Sequence, residues 1–157
     1  MPTPDFVLAL REKIGHAPLW LTGITAVVTR GEGHDLLLVR RSDTGAWTPV
    51  TGIVDPGEEP AVAAAREVLE EADVVAHPVH LAWVHTIPMV TYPNGDQSQY
   101  LDLTFRMRYD SGEPFPADGE NTEARWFAPT ELPEMSDDMR ARIRYALDEE
   151  RATRFEF

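Results

Sequence analysis

The chain has 157 residues, enough for one domain with a real core, and its 43% hydrophobic and 26% charged residues exclude wholesale disorder. A formal net charge of −13 argues against non-specific attraction to nucleic acid or an anionic membrane. Without cysteine there are no disulfides or thiolate metal sites, and no apolar run approaches the ~20 residues of a membrane span.

The expectation is therefore a soluble, cytoplasmic protein with neither nucleic acid nor membrane as a partner; no basic-then-apolar leader opens the chain. Residues 4–14 predict an amphipathic helix. Thr3 is the expected cap, Pro4 the first helical residue, Gly15 the stop, and Phe6, Leu10 and Ile14 the buried stripe. "LWLTGITAVVTR" and "DLLLVRR" read as strands joined across "GEGH". "AWTPVTG" is extended, "HLAWVHTI" is a strand, and "PMVTYPNGDQSQ" is a turn-rich loop. In "YLDLTFRMRY", Leu101, Leu103, Phe105, Met107 and Tyr109 alternate with Asp102, Thr104, Arg106 and Arg108, which predicts a half-buried strand. "SGEPFPADGEN" is a loop, "EARWF" a short strand, and residues 137–152 a helix capped by Ser136 or Asp137. Nothing divides the chain, so one domain over 1–157 is expected, of mixed α/β class around a sheet.

Between the second strand pair and "HLAWVHTI" lies "GIVDPGEEPAVAAAREVLEEADV", residues 52–74, with seven carboxylates and one arginine. Asp55-Pro56-Gly57-Glu58 has a type II turn signature, and Pro60 suits the first turn of a helix. Val62, Ala65, Leu69 and Ala72 are the stripe expected against a sheet. Glu67, Glu70 and Glu71 stand at i, i+3 and i+4, so one helix end gathers three like charges. Exposed like-charge pairs cost only about 0.2–0.5 kcal/mol each, so a solvated acidic face is the plain alternative to a site for a hard divalent cation.

The spacing from Gly52 to Glu58, to Arg66-Glu67, to Glu70-Glu71 and to Val74 resembles the Nudix box of the Nudix hydrolase superfamily. Asp73 stands where that family usually has glycine, and Thr51 replaces the glycine before Gly52. The resemblance implies a Nudix-like α/β/α sandwich, a mixed sheet between helices. It also implies Mg²⁺ or Mn²⁺ as cofactor and hydrolysis of a nucleoside diphosphate linked to another moiety, such as ADP-ribose, a dNTP or a dinucleoside polyphosphate, by water attack on phosphorus. A catalytically silent nucleotide-binding sensor of the same fold is the alternative. By the same resemblance Glu67, Glu70 and Glu71, with the Thr51 carbonyl and Glu120, are the expected metal ligands. Glu67, Glu71, Arg66 and Glu120 form the expected catalytic set: Arg66 orients the glutamates by pairing with Glu58 or Glu70, and Glu120 is an extra ligand or the base. Trp47, Arg40 and Tyr92 are substrate candidates, Arg41, Arg106 and Arg108 could also reach phosphates, and Trp83 is read as core. Relatives of this kind are often homodimers, which is the expectation for partners beyond the small nucleotide substrate.

Overall fold

A computed structural model describes residues 3–157. Helix α1 (Asp5–Ile14) precedes β1 (Leu19–Arg30) and β2 (Asp35–Arg41); β3 (Trp47–Thr48) and β4 (Val50–Ile53) lead into α2 (Pro60–Ala72). Then come β5 (Val74–Thr86), β6 (Val90–Thr91), β7 (Gln97–Gly112), β8 (Asn121–Phe127), α3 (Asp137–Ala146) and β9 (Arg154–Phe155).

Among the described residues the strands form one nine-stranded mixed sheet in the order β3-β2-β1-β7-β5-β9, with β4 on β1, β6 on β7 and β8 on β2. The centre is a parallel pair: β1 runs beside β7 from Leu19↔Ser98 to Thr29↔Arg108. β2 touches β1 only at Thr29↔Leu36 and Arg30↔Asp35, and β4 takes the place beside β1 from Gly23↔Ile53 to Ala26↔Val50. β1 thereby places Gly52 and Thr51 in the middle of the sheet.

Helices cover both faces, giving the α/β/α sandwich. Ala63, Ala64, Val68 and Ala72 of α2 pack on Ile24, Ala26, Val28 and Met107. Ile143 and Ala146 of α3 pack on Val27, Leu36, Leu38 and Ala82 of the other face. The expected half-buried β7 is covered on both sides as a result: Asp102 and Thr104 are 2% and 0% exposed. Their charge and polarity are satisfied within the fold. Arg142, itself buried, donates to Asp102 Oδ1 at 3.1 Å and to Thr25 Oγ1 at 2.6 Å, while Thr25 and Thr104 both donate to Asp102 at 2.8 Å. Asp138, one turn before, accepts from Arg142 at 2.6 Å and ties α3 to this network.

Several local expectations shift by a residue or a face. The cap of α1 is Pro4, with no side-chain bond from Thr3, and the helix buries Val7, whereas Leu10 and Ile14 are about two-fifths exposed. Arg11 holds α1 down instead, donating to Gln97 O at 2.7 Å and Ala17 O at 2.6 Å. The predicted loop before β7 contains the two-residue β6, which closes a hairpin at Val90↔Ser98. α3 is capped by Ser136, whose hydroxyl accepts from the Met139 amide, and it stops at Ala146, not near 152. The next residues include Asp148, Glu149 and Glu150, and a helix C-terminus disfavours negative charge.

Candidate active site: a buried glutamate helix against a glycine

The turn before α2 forms as its sequence dictates. Gly57 has φ 85°, and the Glu58 amide donates to Asp55 O at 3.0 Å. At the other end Asp73 is the C-cap in the left-handed region (φ 54°, ψ 33°), where Asp is tolerated better than most residues. Its amide donates to Leu69 O at 3.1 Å, and the Phe115 amide donates to Ala72 O at 3.0 Å. The loop after β7 therefore supplies donors to the open carbonyls of the last turn.

Between those ends the helix is rotated relative to the hydrophobic reading. Val62 and Leu69 are 58% and 49% exposed, and Glu67 and Glu71 face inward with Ala64, Val68 and Ala72. A solvated acidic face is thus ruled out for two of the three glutamates. Glu67 is wholly buried and lies against β4, where a Cβ on Gly52 would sit only 2.3 Å from Glu67 Cδ. Gly52 is required because a carboxylate occupies the space its side chain would fill.

Arg66 gathers the acids. Its Nε and Nη2 donate to both oxygens of Glu58 at 2.8 and 2.9 Å, a bidentate pair, and Nη1 donates to Glu67 Oε1 at 2.9 Å and Glu70 Oε2 at 3.2 Å. The pairing with Glu58 or Glu70 expected from sequence is in fact with both, and with Glu67 as well. Glu70 points outward to this arginine and is 46% exposed in its side chain.

Glu71 belongs to a second cluster. One carboxylate oxygen each from Glu71, Asp118 and Glu120 lie within 4.8 Å of one another, and Asn121 Nδ2 donates to Glu71 Oε2 at 3.0 Å. The loop bearing Asp118 and Glu120 is fixed from outside: the Ser42 amide and hydroxyl both donate to Glu120 O, at 2.8 and 2.6 Å. Asp118 Oδ1 accepts from the Glu120 amide at 3.0 Å. Asp118 was not singled out from sequence. Nothing in its local pattern marks it, and only the docking of this loop on the helix end brings it to Glu71.

Burial dominates the electrostatics. It pushes the Glu67 carboxyl up to about 8, against the opposing pull of Arg66 and with reinforcement from Glu71 and Glu70. Burial also raises Glu71; the Asn121 hydrogen bond lowers it and Asp118 raises it further. Glu58 moves the other way, held low by its bond to Arg66. A buried carboxylate set with raised proton affinity is costly alone and favourable around a cation. Among the described residues Glu67 Oε2 is buried with no hydrogen-bond partner. An all-oxygen set of this kind suits Mg²⁺ or Mn²⁺, so the residues fit such an ion.

The other candidates divide. Thr51 lies in β4 opposite Thr25, next to Gly52 and half-buried. Arg40 turns away, donating to Glu123 Oε1 at 3.0 Å and Gly45 O at 3.2 Å. Its neighbour Arg41 is bidentate on Asp43, which raises its proton affinity, and the charge of Glu71 adds to that. Trp47 packs edge-on against Phe127 at 4.9 Å, under the Arg125 guanidinium. Tyr92 is 39% exposed and shares a 2.6 Å hydrogen bond with Tyr100; burial holds its hydroxyl above the usual range. Trp83 is core, 8% exposed and stacked on His85 at 3.4 Å.

Comparison with known proteins adds independent findings. The family model described as the NUDIX domain matches residues 20–149. A protein of Stutzerimonas stutzeri named NAD-capped RNA hydrolase NudC is 34% identical over 122 residues, which cover 76% of this chain and 41% of that one. A MutT-like protein of Streptomyces ambofaciens is 32% identical over 132 residues, covering 83% of this chain and 79% of that one. The crystal structure of a UDP-X diphosphatase superposes with a TM-score of 0.70 at 17% identity, over 97% of this chain and 74% of that one, a likeness of fold. The chain spans about two-fifths of the length of the NudC relatives it matches. The name of those relatives states action on NAD-capped RNA. Among the described residues no helix is long and apolar enough to cross a membrane.

Proposed function

The chain belongs to the NUDIX family, and on that premise we propose that it hydrolyses a nucleoside diphosphate linked to another group, with Mg²⁺ or Mn²⁺ as cofactor. The observation that carries this reading is Glu67: fully buried, clamped by Arg66, pressed against Gly52, and left with one unpartnered oxygen. An acidic surface without a function has no use for such a group, because burying it costs stability. The names of the relatives suggest the substrate class, a dinucleotide or nucleotide-sugar diphosphate, either free or at the end of an RNA. All these share a pyrophosphate bridge.

Glu67 and Glu71, with Glu120, Asp118 and the Thr51 carbonyl, would hold the ion. A bound Mg²⁺ or Mn²⁺ neutralises carboxylates and polarises phosphoryl oxygens. Arg66 orients Glu67 through a 2.9 Å bond and partly offsets the cost of burying its charge, and Glu58 in turn fixes Arg66 through two bonds. Glu120, carried on a loop held by Ser42, is assigned in this reading as a further ligand or as the base that accepts the proton of the attacking water. Arg41, whose charge interacts with that of Glu71, is the candidate for the substrate's phosphates, and half-exposed Tyr92 the candidate for its base. The domain assigned to this activity is the whole chain.

The test is a panel of ADP-ribose, NAD, dinucleoside polyphosphates, a nucleotide sugar, dNTPs and an NAD-capped oligoribonucleotide. Each is incubated with Mg²⁺ or Mn²⁺, and products are followed by chromatography. Cleavage of one class that EDTA stops and Glu71→Gln lowers by about 10²-fold or more supports the proposal. Cleavage indifferent to both removes the mechanism, and binding without cleavage across the panel supports the sensor instead.

A further inference from the structure

Phe105 and Met107 of β7 face α2, so Arg106 and Arg108 project from the opposite face of the strand. Beyond the end of α3 they meet Arg30, His34, Val79 and Arg151 around a cavity of about 380 Å³. No carboxylate lines it. That is unexpected in a chain of net charge −13, where most arginines are neutralised in place: Arg11, Arg40, Arg41, Arg66 and Arg142 each have a carboxylate within 4.0 Å. Among the described residues Arg106, Arg108 and Arg151 have none, and Arg30 has one only at 3.7 Å, from Asp35. Asp110, the next residue on that face of β7, lies 4.0 Å from His77.

Two further observations mark the same place. His80, opposite Arg106 in the β5–β7 register, has both ring nitrogens buried without a partner. Burial, and then the charges of Arg106 and Arg151, hold that imidazole below its usual range. Among the described residues only three that are not glycine have a positive φ, and two of them, His34 and Arg151 (both φ 52°), line this pocket. Strained backbone of this kind persists where the surroundings over-determine it and gathers at binding sites.

Guanidiniums that line one pocket without a carboxylate among them repel one another until an anion arrives, and their forked donors match phosphate oxygens. We infer that this pocket is a second binding site, for the phosphate group of a small ligand, whether a free phosphate ion or a phosphomonoester. Its volume is within the range of small-ligand pockets. It shares no residue with the acidic site and stands independently of the hydrolase reading.

Calorimetric titration of the full chain tests it, in EDTA so that no cation draws phosphate to the glutamates. Inorganic phosphate and AMP are the separate probes. One-to-one binding is expected, weakened at least about tenfold by Arg106→Gln with Arg108→Gln, and also by Arg151→Gln, which lies in an exposed segment and leaves the sheet intact. Glu71→Gln leaves the affinity unchanged. AMP binding more tightly than phosphate assigns a nucleotide; equal affinities assign phosphate itself. No binding of either at about 10 mM overturns the inference. So does an affinity indifferent to the glutamine variants, or binding seen only with an RNA oligonucleotide.

Discussion

Replacing Gly52 by alanine is the sharpest local perturbation the site offers. The new Cβ would stand 2.3 Å from Glu67 Cδ, 2.4 Å from Cγ and 2.5 Å from Oε1. Carbon atoms pack at about 3.5–4.0 Å, so the carboxylate must retreat by roughly 1 Å or more. It has no slack, being wholly buried and held by Arg66 at 2.9 Å. Overpacking of this size costs about 1–3 kcal/mol, and straining a charge-assisted hydrogen bond acts in the same direction. We expect Gly52→Ala to lose about 2 kcal/mol in urea unfolding. The larger effect is on function: a 1 Å displacement of a catalytic group costs on the order of 10²-fold in turnover. Gly33→Ala is the control, since its nearest neighbour to a new Cβ, Asp35 Oδ1, is 4.0 Å away. Activity would be followed against Mg²⁺ concentration for all three proteins. Wild-type turnover and metal dependence in Gly52→Ala would refute the claim that Glu67 and Gly52 fit as a pair.

At the end of the same helix Asp73 holds φ 54° where glycine has no steric cost, so Asp73→Gly should raise stability in urea by about 0.5–1 kcal/mol with activity kept; a loss of stability would mean that the aspartate side chain does something its cap position does not explain. Arg142→Ala leaves Asp102 buried with its threonine partners and His85 Nδ1 at 3.9 Å, and should cost about 3 kcal/mol, read as a fall in unfolding midpoint; a cost under about 1 kcal/mol would show the ion pair to be ornamental. The Glu67 carboxyl rises from an ordinary 4.5 to about 8 on folding, so between those values the metal-free fold binds the extra proton and loses stability as pH rises. A dication must displace that proton, so affinity for Mn²⁺ should increase from pH 6 to about 8 and then level off, measured by calorimetry; a flat profile would contradict the shift.

Local chemistry made much of this legible in advance. The turn at Asp55–Glu58 and the helix start at Pro60 follow from backbone preferences of glycine and proline, and the start of α3 from the capping hydroxyl of Ser136. What escaped depends on partners distant in sequence. Asp102 reads as a solvent-facing residue until Arg142, forty positions on, covers it. The inward turn of Glu67 and Glu71 defeats a hydrophobic stripe, because such a reading assigns carboxylates to water and so selected Val62 and Leu69, which are exposed. Glu120 was named through the family resemblance, whereas Asp118 joins Glu71 only through the docking of its loop.

The central claim is that the acids of α2 surround a hard cation. Crystals grown with Mn²⁺ and a non-hydrolysable dinucleotide, examined by anomalous scattering at the manganese edge, test it most directly. The account predicts a strong peak bounded by the carboxylates of Glu67, Glu71 and Glu120 and lost in Glu71→Gln. A map with no peak there, and Glu67 still buried against Gly52 with its second oxygen unpartnered, would contradict it.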